Sequence, residues 1–318
     1  ISKKFGGSKI NSYIRCRIHY ESNVYMMIKQ FLNYLQYERN YSILTLQSYG
    51  RDLESFESYF KNLGTHLSWE SVDSDIIRDW IESMMDKGNT ATSVNRRLSA
   101  LRSFYRFAIS QGLIISDPVR SVSGPKKSKP LPQFLKEKEI NELLDGDLFG
   151  SSFKDVRAYT IIMMFYETGI RLSELINLDK FSVDLTDCKI KVTGKRNKQR
   201  IIPFGVELRD TIKKYLDIRE QSLLEDPDPI FVTERGKRMN SNQVRYEVSK
   251  YLKMVCTLKK CTPHVLRHTF ATAMLNHNAN LESVKKLLGH QSLTTTEVYT
   301  HTTFEQLKKV YNQAHPRA

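Results

Sequence analysis

Two arginines, a lysine, two histidines and a tyrosine in the second half of the chain lie in short, distinctive strings. Arg171 falls in Thr168-Gly169-Ile170-Arg171-Leu172-Ser173-Glu174-Leu175, and Lys195 in Thr193-Gly194-Lys195-Arg196-Asn197-Lys198. His264 and Arg267 share Pro263-His264-Val265-Leu266-Arg267-His268, His290 follows Leu288-Gly289, and Tyr299 stands in Thr296-Glu297-Val298-Tyr299-Thr300-His301. Together these residue types suit chemistry on a phosphodiester. Attack on that anion builds a five-coordinate transition state with added negative charge on the nonbridging oxygens. Guanidinium groups are permanently charged planar forks that match such oxygens, and one preorganised donor in comparable oxyanion sites contributes about 3–4 kcal/mol. A phenol can act as nucleophile, and its phenolate leaves well in turn, so a covalent intermediate keeps the bond energy for rejoining. Histidines hydrogen-bond phosphate and move protons near neutral pH.

The local sequence predicts elements that would position these groups. Thr262 suits a helix N-cap and Pro263 the first helical position. His264 and Arg267, three apart, then share one face of the first turn, beside the free N–H groups of the helix start. Phe270, Met274 and Leu275 read as the buried stripe of that helix. Gly194 to Arg200 reads as a basic hairpin turn between strands Lys189–Val192 and Arg200–Phe204, which sets Lys195 at the tip.

Taken singly, each residue has an ordinary reading beside the chemical one. Arg171 could be a helix-surface charge and Lys195 a solvated turn lysine, with Lys198 its competitor as the reactive amine. His290 after Gly289 could belong to a helix C-cap, and Tyr299 is one of 16 tyrosines. His268 and His301 read as supporting neighbours. Glu174, three residues after Arg171, suits orienting an adjacent arginine better than acid catalysis.

As an ordered set with these flanks, the six residues resemble the active site of the tyrosine recombinases, which cut and rejoin DNA through a phosphotyrosine. The resemblance covers about residues 24–318. It implies that Arg171 and Arg267 bind the scissile phosphate, that His264 and His290 assist, and that Tyr299 attacks. It also implies that Lys195 protonates the leaving 5′-oxygen. Within the family the chain is most similar to the Xer group, on its two-domain length, the stretch Pro263–Asn276 and the ending His315-Pro316-Arg317-Ala318. That group resolves chromosome dimers before cell division. The implied partners are double-stranded DNA, further subunits in a tetramer on two sites, a possible paralogous recombinase, and a DNA-translocase regulator of cell division. Thr303–Tyr311 would be the segment docking on a neighbouring subunit, through Phe304, Leu307 and Val310. Arg196 stands where the family pattern has glycine, which bears on the geometry of the turn. A mobile-element integrase or DNA invertase would share the chemistry, as would a type IB topoisomerase, while a DNA-binding accessory protein would lack it.

The chain has 318 residues, with 49 Lys and Arg against 35 Asp and Glu, for a formal charge of +14. So basic a balance suits a polyanionic partner. No apolar run approaches the roughly 20 residues that span a bilayer, and no signal-peptide pattern is present. Cys16, Cys188, Cys256 and Cys261 show neither metal-ligand spacing nor a disulfide framework. These features predict a cytoplasmic protein with reduced thiols and no membrane partner. No phosphate-binding glycine loop and no carboxylate cluster for catalytic Mg²⁺ is evident, so neither cofactor nor metal is expected.

The expected fold is mainly α: a four-helix core-binding (SAM-like) domain, then a mixed α/β catalytic domain with a small antiparallel sheet. Residues 1–22 read as a basic, poorly ordered leader, 23–122 as the helical domain, 123–132 as a linker and 133–318 as the catalytic domain. Helical spacing begins at Val24. A second helix follows Ser42, a third spans about Asp75 to Lys87, and a fourth follows Thr90. In the catalytic domain helices are expected near 136–145, 155–167, 171–178, 206–221, 241–254, 263–276 and 281–288, with Ile230–Val232 a possible third strand. Arg96, Arg97, Arg102 and Arg106 interleave with the fourth helix's apolar stripe as candidate phosphate ligands, against the alternative of a solvated face. Lys126, Lys127 and Lys129 in the proline-containing linker are further candidates.

Overall fold

The structure, a computed structural model, describes residues 26–127, 133–194, 198–289 and 301–318, with side chains from Phe304 onward in the last stretch. It comprises two compact units, Ile1–Pro130 and Leu131–Ala318, each with its own apolar core.

In the first unit, helical residues 26–33 (α1) run into a π-helical turn at Tyr34–Glu38. Helices α2 (Ile43–Leu63), α3 (Ser74–Asp86) and α4 (Ala91–Ser110) follow. Short polar side chains fix where they start, by taking N–H groups that the helix leaves unpaired. Ser42 Oγ accepts from Thr45 N–H at 3.3 Å, Asp73 Oδ1 from Asp75 and Ile76 at 3.0 and 2.9 Å, and Thr90 Oγ1 from Ser93 at 3.3 Å. The core is aromatic. Trp69, in the α2–α3 connection, lies tilted against Phe104 of α4 at 4.5 Å centroid separation, and Phe56 of α2 lies 4.7 Å from Trp80 of α3. Such ring pairs contribute beyond the area they bury.

The second unit is built round α6 (Phe153–Thr168), buried along Val156–Thr168 save Tyr159. A helix apolar on all sides belongs at the centre, and α8 (Val206–Ser222), α9 (Ser241–Val255) and α10 (Pro263–Asn276) pack against it. Helices α5 (Glu137–Asp145), α7 (Leu172–Ile176), α11 (Leu281–Leu288) and α12 (His301–Ala314) complete the unit. Strands β1 (Val183–Asp184), β2 (Lys189–Thr193) and β3 (Gln199–Pro203) form an antiparallel sheet in the order β1-β2-β3.

Two expectations need correcting. The third strand is Val183–Asp184, not Ile230–Val232. Those three residues are all buried, at 1 %, 1 % and 0 % exposure, and bridges at Asp179–Pro229 and Val232–Arg238 are isolated ones outside the sheet. Pro227 and Pro229 lack the N–H groups that a ladder needs. Leu275 does not join the buried stripe of α10: it is 41 % exposed, whereas Phe270 and Met274 are fully covered. One residue past Met274 on a helix is a rotation of about 100°, enough to leave the apolar face.

Candidate active site

Arg171 and Arg267 come from elements 96 residues apart in sequence and meet at one end of α11. Thr168-Gly169-Ile170-Arg171 is the passage from α6 into α7. Gly169 caps α6 in the left-handed conformation, with φ +57°, and a Cβ there would meet Phe270 Cδ1 at 2.5 Å and Leu288 Cδ2 at 2.7 Å. Only glycine suits both demands. The tight exit directs the Gly169 carbonyl at Arg267, whose Nη1 donates to it, while Arg267 Nη2 donates to Leu288 O at 2.7 Å. Arg171 Nη2 donates to Gly289 O at 2.8 Å and its Nη1 to Glu174 Oε1 at 2.8 Å.

The two arginines differ in exposure. Arg267 is 8 % exposed, and burial, with Arg171 and Arg200 beside it, lowers its pKa to about 10. The Arg171 side chain is 35 % exposed. The expectation that Glu174 pairs with an arginine is met twice: it accepts from Arg171 and also from Arg200, through Nη1 to Oε1 at 2.6 Å and Nη2 to Oε2 at 2.8 Å. Burial works to raise the Glu174 carboxyl, but the hydrogen bonds and charge of Arg200, then the hydrogen bonds from Arg171, outweigh it and hold the pKa at about 2.

Arg200 was not among the site residues expected from sequence, where it reads as part of a basic turn. Its register carries the missing signal. Arg200 pairs opposite Val192 and shares its side of β3 with Ile202, both of them buried. Alternation therefore points it inward.

The first two turns of α10 present His264 and His268 outward. Thr262 stands at the N-cap as expected, but its hydroxyl makes no capping bond. Partial burial, followed by the charges of His268, Arg267 and Arg245, holds the His264 pKa below the usual histidine value. The imidazole is thus neutral at pH 7, able to accept a proton at one nitrogen and donate from the other. The hairpin closes at its base through Gly194 N–H to Lys198 O at 2.7 Å, and Lys198 is exposed. Lys195, His290 and Tyr299 lie outside the described residues, as do Arg196 and Lys129. Tyr311 can be set aside as a nucleophile. It is fully buried, its hydroxyl donates to Glu167 Oε2 at 3.1 Å, and burial raises its pKa well above the ordinary phenol value.

The candidate phosphate ligands of the first unit divide into two groups. Arg96 forks onto the buried carboxylate of Asp52, with Nη2 to Oδ1 at 2.8 Å, and also bonds Ser48. Arg97 Nε lies 3.8 Å from the same carboxylate, and Arg102 Nη2 donates to Val122 O at 2.7 Å. Arg106, Lys126 and Lys127 are exposed and make no ion pair among the described residues. No described group of acidic, histidine or cysteine side chains has the arrangement to hold a metal, and no described helix is long and apolar enough to cross a membrane.

Two family models match the chain: the phage integrase family over residues 133–306 and the phage integrase N-terminal SAM-like domain over residues 28–112. The tyrosine recombinase XerC of Thermodesulfovibrio yellowstonii is 39% identical over 300 residues, covering 93% of this chain and 98% of its own. Those of Staphylococcus epidermidis and Bacillus subtilis are 40% and 37% identical, over 91% and 93% of this chain and 96% and 98% of their own. Among solved structures, the XerH site-specific recombinase in its post-cleavage complex with palindromic difH substrate has a TM-score of 0.69 at 22% identity, over 89% of this chain and 83% of its own. A lambda integrase (75-356) dimer bound to a COC′ core site has a TM-score of 0.67 at 18% identity, over 89% of this chain and 94% of its own. At these identities the two structures speak for the fold.

Proposed function

Since the chain belongs to the phage integrase family and is a tyrosine site-specific recombinase of the Xer type, we propose that it cuts and rejoins duplex DNA through a 3′-phosphotyrosine on Tyr299. The observation that carries this reading is the convergence of Arg171 and Arg267 at the end of α11, Arg171 braced by Gly289 O and Glu174 and Arg267 by two main-chain carbonyls. Bracing fixes the forks before a phosphate arrives, so charge developing on the nonbridging oxygens meets donors that need no reorganisation. His264, neutral and exposed on the first turn of α10, accepts the phenolic proton or passes it on, and His290 bonds the phosphate. Lys195 protonates the leaving 5′-oxygen. The biological reaction is resolution of chromosome dimers by a tetramer on two sites, with a paralogous recombinase and a cell-division translocase as candidate partners. Its similarity to relatives named XerC favours that role over integration or inversion.

A duplex nicked near the cleavage point tests the chemistry, because loss of a short fragment traps the covalent intermediate. The wild-type chain is expected to form an adduct mapping to Tyr299. Tyr299→Phe, which loses one hydroxyl, is expected to bind the duplex equally well and form none. An adduct that persists in this variant would overturn the assignment.

A further inference from the structure

Three successive carbonyls at the end of α11 each accept from a different arginine. Leu287 O takes Arg200 Nε at 3.0 Å, Leu288 O takes Arg267 Nη2 at 2.7 Å, and Gly289 O takes Arg171 Nη2 at 2.8 Å. The last carbonyls of a helix have no partner within it and carry the negative end of its dipole, so they suit guanidinium groups. Two of these arginines are already placed at the phosphate. The third has no such role. The side chains of Arg200 and Glu174 are only 6 % and 2 % exposed, and all three guanidinium nitrogens of Arg200 already donate to Leu287 O or to the Glu174 carboxylate.

We propose that Arg200 is a positioning residue for cleavage: its fork on Glu174 and its Nε on Leu287 O tie β3, α7 and the end of α11 into one frame that sets the angle of the Arg171 guanidinium. The inference rests on the phosphate-binding role proposed for Arg171.

The geometry leaves little freedom. Arg200 Nη1 and Nη2 bind Glu174 Oε1 and Oε2, and the same carboxylate accepts Arg171 N–H at Oε2 and Arg171 Nη1 at Oε1, both at 2.8 Å. Arg171 is thus held at its backbone and its side chain by one carboxylate, whose orientation Arg200 sets. A Cβ on Gly289 would lie 3.1 Å from both Arg200 Cδ and Nε, so the chain turns against the Arg200 stem there. Lysine has one nitrogen where arginine has three, so it cannot span Glu174 and Leu287 together. Glu174 would then turn, and Arg171 with it.

The test compares the full-length wild type, Arg200→Lys and Arg171→Ala on two nicked duplexes. One carries the natural scissile phosphate. The other carries a methylphosphonate there, which lacks one charged nonbridging oxygen and so needs less from Arg171. Arg200→Lys is expected to bind duplex DNA as the wild type does. Its single-turnover cleavage of the natural substrate should fall about 10²-fold, the usual effect of a misplaced catalytic group. On the methylphosphonate both variants are expected to lose much less. Equal losses by Arg200→Lys on the two substrates would mark a general structural role, and unchanged cleavage would mark no role; either overturns the proposal alone. A wild type that forms no covalent adduct on either substrate would overturn the proposed function and this inference with it. Thermal unfolding checks the fold. Should the lysine variant not fold, Arg200→Gln, whose amide can still donate to Glu174, carries the same comparison.

Discussion

At the scale of single residues, Arg267 and Arg171 differ in how much of each fork is already engaged. Arg267 bridges Gly169 O and Leu288 O from a buried position, and Arg171 is braced by Glu174 and Gly289 O but partly exposed. A lysine at 267 could reach one carbonyl only, and burial beside Arg171 and Arg200 would favour its neutral form. Arg267→Lys is therefore expected to lower cleavage on the order of 10²–10³-fold, as for loss of an oxyanion donor. Arg171→Lys keeps a link to Glu174 and should lose less. Single-turnover cleavage of a nicked duplex measures both, and near-normal rates would reduce the pair to contributors of general field. The sequence made these two arginines legible because each lies in a string whose neighbours also have reasons, such as the glycine cap at 169 and the proline start at 263. Arg200 was hidden by its surroundings. Amid Lys195, Arg196 and Lys198 it counts as one more turn charge, and only the pairing register shows that it points inward. A buried guanidinium needs bonded partners, and the carboxylate that Arg200 takes, Glu174, 26 residues away, is found by folding rather than by spacing.

At the scale of elements, helix boundaries in the second unit were largely legible, because α9 and α11 open on the capping asparagines Asn240 and Asn280, and α10 opens on Thr262-Pro263. Helix α12 shows where such reading stops. By resemblance Phe304, Leu307 and Val310 are anchors for a neighbouring subunit. In this chain Phe304, Leu307, Tyr311 and Ala314 are buried, with Val310 partly so, and Tyr311 bonds Glu167 of α6. Two groups beside this helix titrate abnormally. Burial lowers His315 to about 3, where its ring stacks on Tyr311 at 5.0 Å and its Nδ1 accepts from Arg317 N–H at 3.2 Å. Burial raises Glu167 to about 8 against the bonds from Gly205 N–H and Tyr311. For His315 the unfolded chain binds the extra proton, so stability falls as pH drops from about 6.5 toward 3. For Glu167 the folded chain binds it, so stability falls as pH rises from about 4.5 toward 8. The two slopes, each about 1.4 kcal/mol per pH unit at most, cancel between roughly 4.5 and 6.5 and act alone on either side. Denaturant unfolding across pH is expected to show Glu167→Gln lacking the alkaline decline of the wild type while keeping the acid one. Parallel wild-type and variant curves above pH 6.5 would mean that Glu167 is ionised in the fold.

At the scale of the whole molecule, a net charge of +14 becomes binding energy only where cations are free to meet phosphates. Arg96 and Arg97 are engaged with the buried Asp52 carboxylate, so removing them would leave a buried charge unpaired and weaken the first unit for reasons unrelated to DNA. Arg106, Lys126 and Lys127 are exposed and make no ion pair among the described residues, which makes them the cleaner probes. If the first unit grips the duplex through them, changing all three to glutamine should weaken binding equally on specific and random DNA, since cations on phosphates carry no sequence information. The slope of log affinity against log salt should flatten by about 0.9 for each phosphate left unneutralised, nearly three in all if each residue meets one. Because each unit has its own core, residues 131–318 alone should fold and show a shallower slope than the full chain. Salt titrations of the full chain, the triple variant and the fragment on both duplexes decide the matter. Three equal slopes would place all the phosphate-binding cations in the second unit, leaving the helices of the first a role other than gripping the backbone.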